Sequence, residues 1–395
     1  MTGPAGVPFR ARSLASSIYA PIFLFSIGRG AVIPVIALLA LDLGASPAVA
    51  GLVVAMRSLG TLVFDIPAGL LVARVGERRA MVVSGLALTV ISVGIWLRPG
   101  LVVYTVLVVL VGCAWSVWML ARITYAAGSA PPAHRGRVMA MMGGIQRIGL
   151  LIGPLIGSVL VVNRGLTGPF LVLAVLSAGA SVTVAVSRPR SFTPEPTSEA
   201  ITVTRVLRDH WRSLSTAGLV AVTAQVLRSS REVLIPLWGD RVGIGAGSIS
   251  LVFAASAAIE SLMFYPVGMV MDRKGRKWTA LPSITLLSLG IAAIPLTSSL
   301  TQLTALALVL GVGNGLGSGM NMTLGSDLSP LLGRSRFIGL WRVVTDVGTM
   351  GGPLLVAGVA TLSSLAAAAL SVGAVGVAGV WVLWRWVPET LERTR

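Results

Sequence analysis

Gly268-Met-Val-Met-Asp-Arg-Lys-Gly275 joins two long apolar runs, and Gly69-Leu-Leu-Val-Ala-Arg-Val-Gly76 joins two more, 199 residues earlier. The same offset continues outward from both stretches. Pro67 answers to Pro266, Gly112 to Gly311 and Arg137 to Arg336. Gly149-x-x-x-Gly153-Pro154 answers to Gly348-x-x-x-Gly352-Pro353. One offset shared by turn glycines, kink prolines and loop arginines marks an internal duplication. Two tandem copies of an apolar bundle predict a pseudo-two-fold protein with a cavity between its halves, an arrangement that secondary transporters use.

Composition says which solvent the copies occupy. Of 395 residues 55% are hydrophobic and only 11% charged, and the mean hydropathy is +0.88, values suited to a bilayer. Twelve spans follow: 15–38, 48–72, 78–97, 101–129, 138–161 and 168–187, then 214–238, 247–271, 277–297, 301–328, 337–361 and 364–387. Residues 1–187 and 214–395 are thus expected to form two six-helix bundles. Residues 188–213, rich in proline and arginine, cannot bury a core and read as a cytoplasmic linker with room for one surface helix. The apolar run after the first 14 residues has no small-residue cleavage site before the next polar turn, so it reads as a retained first span. Trp96, Trp211, Trp238, Trp278, Trp381, Trp384 and Trp386 fall near span ends, where interfacial anchors sit. The single cysteine, Cys113, excludes an intramolecular disulfide.

The net charge of +17 would suit nucleic acid, but its placement assigns it to topology. Of the 31 basic residues, 21 fall on the side of the termini and linker, three (Arg98, Arg164 and Arg241) on the other, and seven inside spans. This bias predicts both termini in the cytoplasm of a bacterial inner membrane and excludes nucleic acid as the partner.

The stretch Gly268-x-x-x-Asp272-Arg273-Lys274-Gly275-Arg276-Lys277, between the second and third spans of a repeat, resembles the loop signature of the major facilitator superfamily. The resemblance covers essentially the whole chain and implies the major facilitator fold, an all-α polytopic protein of twelve transmembrane helices. It also implies a conformational latch: Asp272 caps a helix of the other half, and Arg276 pairs with a carboxylate at the position of Asp327. Gly275 suits the tight turn and Gly268 a close helix contact. The first copy departs from the pattern, with Ala73 in place of the acid and Glu77 in place of the arginine. On the fifth span, Gly149, Gly153, Pro154 and Gly157 resemble the helix of the twelve-span drug:proton antiporter branch; ordinary small-residue packing is the alternative, and the near-copy at Gly348 and Gly352 suits it. The branch's fourth-span arginine, expected near Val108, is absent.

Charges inside the bilayer are costly, so each is a candidate functional group. The acids are Asp65, Glu232, Glu260 and Asp346; the bases are Arg29, Arg57, Arg122, Arg147, Arg228, Arg231 and Arg342. The resemblance implies that span 2 faces span 11, and span 5 faces span 8, across the halves. Matching depths at 1.5 Å per residue then predicts the pairs Asp65–Arg342 and Arg147–Glu260, with Arg57–Asp346 the poorest match. Each pair can be a permanent neutralisation or a gate opened by protonating its acid. Glu232 on span 7, Glu260, Asp346 and Asp65 are the candidates for proton coupling. For substrate, Trp115, Trp118, Arg122 and Tyr125 share a face of span 4, and Asn314 and Asn321 share one on span 10. Arg29 is matched to Arg231, each having proline five residues later. An aromatic stripe can equally be packing. The excess of bases over acids favours an anionic or amphiphilic substrate.

The expected activity is proton-coupled export of a small amphiphilic organic compound, with proton-coupled import of an organic anion as the alternative and a non-transporting scaffold as a third class. The expected partners are the lipid bilayer, protons and the substrate, with the chain a monomer. No Gly-x-x-x-x-Gly-Lys-Ser/Thr loop for ATP occurs. No cofactor, metal site or enzymatic activity is expected, and His134 and His210 fall in loops.

Overall fold

Proline and glycine decide where the long helices break. Pro34 has no backbone N–H to donate, and the first span stops at Val32 and resumes at Val35. The tenth span, expected unbroken, stops at Leu316 and restarts at Met320, with Gly319 at a left-handed φ of 80°. Pro67, Pro154, Pro236, Pro266 and Pro353 are carried inside continuous helices.

The structure, a computed structural model, describes residues 14–129, 134–187, 203–330, 334–387 and 389. The basic N-terminal stretch to residue 13 and linker residues 188–202 lie outside them. After a π-helical turn come α1 (Ala20–Val32), α2 (Val35–Asp42), α3 (Pro47–Val75), α4 (Glu77–Trp96), α5 (Leu101–Ser129), α6 (Arg135–Arg164) and α7 (Gly168–Val186). The short α8 (Val203–Asp209) lies in the expected linker and leads to α9 (Trp211–Arg241). Then follow α10 (Ala246–Lys274), α11 (Lys277–Ala293), α12 (Leu300–Leu316), α13 (Met320–Asp327), α14 (Arg334–Leu362) and α15 (Leu365–Trp386). Among the described residues, eleven helical segments are long and apolar enough to cross a membrane. The remaining expected span is α9, whose interior carries Arg228, Arg231 and Glu232; its 31 residues give ample length.

The duplication reappears in the packing. In the first half α1 packs on α6 and α7, α3 on α5, and α4 on α5 and α7. In the second, α9 packs on α14 and α15, α10 on α12, and α11 on α12 and α15. Individual contacts repeat at the same offset. Gly112 lies against the carbonyl of Arg57, and Gly311 against that of Ser256. Gly153 lies against Ile27 and Gly30, and Gly352 against Val226 and Ser229. Arg78 donates to the carbonyls of Val184, Ala185 and Ser187 at the end of α7, while Lys277 reaches that of Trp384 at the end of α15. A cation thus meets the exposed carbonyls of the last helix in each half. This register pairs Arg29 with Arg228; the expected match to Arg231 followed prolines, which the packing does not superpose.

Two seams join the halves, α3 against α14 and α6 against α10. Away from the arginine-rich loops they are shut. A Cβ on Gly51 of α3 would touch Ala357 of α14, and one on Gly247 of α10 would meet Val162 of α6. Residues Val35 to Ala40 of α2 and Val233 to Gly239 of α9 are buried at this far end. Toward the arginine-rich end, Gly143 and Gly144 of α6, Gly268 of α10 and Gly339 of α14 face open space. Close contact between the halves is thus made by Gly51 and Gly247 at the far end and not by these glycines. Of the expected tryptophan anchors, Trp238 is buried and donates to the Thr297 carbonyl at 3.0 Å, because its indole N–H finds a protein acceptor. The other six are exposed.

Candidate functional site

Two cavities lie at the level of the intramembrane charges. The first, about 240 Å³, is lined by α1, α3, α5, α9 and α14; its polar wall is Arg29, Arg57, Ser58, Thr61, Gln225, Arg342, Asp346 and Thr349, with Trp115 and Met119 as the apolar part. The second, about 140 Å³, lies among α1, α6, α9, α10 and α12 and is lined by Arg231, Glu232, Glu260 and Asn314 together with Ile33, Leu150 and Phe253. Arg29 reaches both. A wider depression of about 880 Å³, lined by Asp240, Arg241 and the α14–α15 turn, lies at the sealed end.

Three ion pairs cross between the halves beside these cavities. Arg342 of α14 donates to Asp65 of α3 at 2.9 Å, and Arg147 of α6 to Glu260 of α10 at 3.2 Å. Arg57, expected opposite Asp346, instead donates to Glu232 of α9 at 2.8 Å. Asp346 is taken by Arg342 one turn away on its own helix, at 3.5 Å, so that guanidinium serves a carboxylate from each half. Ser116 of α5 also donates to Asp65, and Asn314 to Glu260, which has Arg231 at 3.8 Å as well. All four intramembrane acids are therefore paired.

The candidate substrate residues divide. The Arg29 guanidinium lies 3.8 Å from the centroid of the Trp115 ring, within cation–π range, at the cavity wall. Trp118 is fully buried and stacked on Phe25 at 4.5 Å; Arg122 and Tyr125 are buried too, and Arg122 donates to Gln146 at 2.6 Å. These three line neither cavity. The rotation of α5 turns Trp115 to the cavity and the rest of the stripe to the core. Asn321 donates to Gln225 at 3.1 Å, beside the first cavity. Gln225, Thr349, Met119 and Ser116 were not singled out in the sequence; only their spacing on cavity-lining helices could have found them.

At the arginine-rich end, Arg276 donates to Asp327 at 2.9 Å, inside the second half. Asp272, expected to cap a helix of the other half, is exposed and makes no ion pair or hydrogen bond among the described residues. The cap at this loop is instead Glu389, which accepts from the backbone N–H groups of Arg276 and Lys277 at 2.8 and 3.0 Å, at the start of α11. Gly275, at φ 110°, makes the turn, and Lys274 lies 5.5 Å over the Trp278 ring; Arg273 is exposed. Gly149, Gly153 and Gly157, with Pro154, press α6 onto α1 within the first half, as Gly348 and Gly352 press α14 onto α9.

A duplicated bundle with two seams, paired charges across them and cavities between its halves has known counterparts. The family model described as Major Facilitator Superfamily matches residues 20–230 and 219–395. The chain belongs to the Major Facilitator Superfamily. It is an all-α membrane transporter and not an enzyme. Among curated superfamily proteins it is 24% identical over 311 residues to the uncharacterized MFS-type transporter YhjO of Bacillus subtilis, covering 77% of each chain. It is 25% identical over 331 residues to the staphylopine export protein of Staphylococcus aureus, covering 80% of this chain and 81% of that one. In fold it resembles the crystal structure of a POT family transporter in complex with a thioalcohol-conjugated peptide, with TM-score 0.78, 12% identity and coverage of 96% and 97%.

Proposed function

We propose that this superfamily member is a proton-coupled secondary transporter that exports a small amphiphilic organic compound by alternating access. The observation that carries the reading is the set of three carboxylate–guanidinium bridges across the halves, set around two cavities lined by helices of both halves. Protonating the acid of such a bridge removes its charge and weakens the tie between the halves, so proton binding and rocking become one event. The 21-to-3 distribution of basic residues supports a topology with the arginine-rich end, and with it both termini, in the cytoplasm of a bacterial inner membrane. On this reading the passage opens at that end, toward the cytoplasm, to take up substrate for export. The staphylopine export protein among the relatives supports this direction. The carrier works as a monomer in the lipid bilayer, since each monomer holds both halves and the cavity between them.

Glu232 is the first carboxylate to test, because it lines the second cavity and closes the Arg57 bridge. In proteoliposomes, a panel of organic cations, anions and neutral amphiphiles is expected to include compounds whose movement drives protons the opposite way. Glu232→Gln is expected to slow that coupled movement at least tenfold. Proton movement in the same direction as substrate would establish the second reading, a symporter importing an organic anion, which the excess of intramembrane arginines favours. Coupling kept intact in the variant would remove Glu232 from the proton path and leave Glu260, Asp346 and Asp65.

A further inference from the structure

Seven arginines and four acids lie inside the spans, and the structure shows how the difference is accommodated. Arg57, Arg147, Arg231 and Arg342 each reach a carboxylate within 4 Å. Arg122 donates to the Gln146 side-chain oxygen, and Arg228 to the Gly317 carbonyl left free where α12 breaks from α13, both at 2.6 Å. Arg29 has neither. Its guanidinium makes no ion pair and no hydrogen bond among the described residues, and its Nε is buried without an acceptor. Its guanidinium lies over the Trp115 face, which stabilises the cation, and it lines the second cavity together with Glu232, whose charge it feels, but neither neighbour takes its N–H edge. The first cavity, where this side chain sits, holds two more guanidiniums, Arg57 and Arg342, and a single carboxylate, Asp346, already drawn to Arg342.

A half-buried guanidinium whose Nε lacks an acceptor is costly to keep, and its planar fork, turned to the cavity, matches an oxyanion. We propose that the transported compound carries an oxyanionic head group, a carboxylate or phosphonate, and that Arg29 is its anchor. The apolar part of the compound lies toward Met119 and the exposed part of Trp115. Arg57, which lines the same cavity, meets the same head group, so a bound anion competes with Glu232 for Arg57 and loosens one bridge between the halves. This assignment rests on the proposed transport function and fixes the charge of its substrate, which that reading leaves open.

The test is equilibrium binding and thermal stability of the purified full chain. The probes are benzoate, phenylacetate and phenylphosphonate, set against methyl phenylacetate, phenylacetamide and benzyltrimethylammonium. Oxyanions are expected to bind and stabilise the protein at millimolar concentration, and the neutral and cationic analogues are not. The carboxylate and phosphonate arms show which head group is preferred. Arg29→Met is expected to lose at least tenfold in affinity for the oxyanions, about 1.4 kcal/mol. Arg29→Lys falls between, since an ammonium keeps the charge but loses the flat stack. Without ligand, Arg29→Met is expected to melt no lower than the wild type, because no ion pair is lost. Equal binding of the cation or the ester, no oxyanion binding, unchanged oxyanion affinity in Arg29→Met, or a sharp drop in its unliganded melting temperature would each overturn the assignment. Oxyanion binding through Arg29 without proton movement in proteoliposomes leaves the anchor standing and removes the coupling. Proton movement driven only by cations does the reverse.

Discussion

Arg342→Gln is expected to destabilise the protein by about 2–3 kcal/mol and to abolish coupled transport, and adding Asp65→Asn is expected to recover most of the stability but not the transport. Among the described residues, Arg342 is the one guanidinium that serves two intramembrane carboxylates, Asp65 at 2.9 Å across the seam and Asp346 at 3.5 Å on its own helix. Removing it leaves both acids without their cation in a low-dielectric setting, and breaking a fully buried pair costs about 3–5 kcal/mol. The Arg342 side chain is 33% exposed to the cavity, so water offsets part of that cost. In the double variant the neutral amide at position 65 can still accept from Ser116, and only Asp346 keeps a charge. Thermal unfolding in mild detergent measures the first half of the expectation, and proton movement in proteoliposomes the second. If Arg342→Gln unfolds at the wild-type temperature, the bridge carries no weight. If the double variant is less stable than the single, the two acids do not depend on this cation.

The partners of that bridge were legible because depth in a bilayer can be counted. Asp65 and Arg342 lie on facing spans, and a fixed rise per residue puts them at matching heights; the same holds for Arg147 and Glu260. The glycine rows were legible as well, since close helix contacts require small residues and the duplication gives each row twice. What counting residues cannot supply is the rotation of a helix about its axis. Trp115, Trp118, Arg122 and Tyr125 do share a stripe, but the stripe straddles cavity and core, and only Trp115 reaches the cavity. Nor does it tell which of several acids at similar depth an arginine selects. Arg57 takes Glu232 because Asp346 is already drawn to Arg342 on its own helix, a competition that only side-chain geometry resolves. Glu389 escaped because it caps a helix from 113 residues away in the chain, so no local pattern marks it. Arg29 was legible as an intramembrane charge, but its lack of an acceptor emerged only when every neighbour was in place.

Gly153→Val and Gly268→Leu are expected to fail in opposite ways, although both glycines belong to the sequence patterns that carry the family resemblance. A Cβ on Gly153 would meet the carbonyl oxygen of Ile27, the Gly30 Cα at 2.6 Å and the Ala31 nitrogen at 2.7 Å. All three are backbone atoms of α1, which cannot rotate away as a side-chain end can, so α1 and α6 would have to separate along their contact. Overpacking of this kind costs about 1–3 kcal/mol where side chains can yield and more where they cannot. Gly153→Val is therefore expected to yield little folded protein on size-exclusion chromatography in mild detergent. Gly268 has nothing within 4 Å, so a leucine there meets no atom in this conformation, and stability is expected to stay within about 0.5 kcal/mol of wild type. Its cost arises when the arginine-rich end closes. Gly143 and Gly144 of α6 and Gly268 of α10 have no close neighbour here, and closure of this end is expected to bring these small-residue faces together. Turnover of Gly268→Leu is expected to fall at least tenfold, with ligand binding from the open side preserved. Wild-type turnover in that variant would mean that α10 does not close against its neighbour at this level. A loss of stability equal to that of Gly153→Val would mean that the open gap is not the resting arrangement of the carrier.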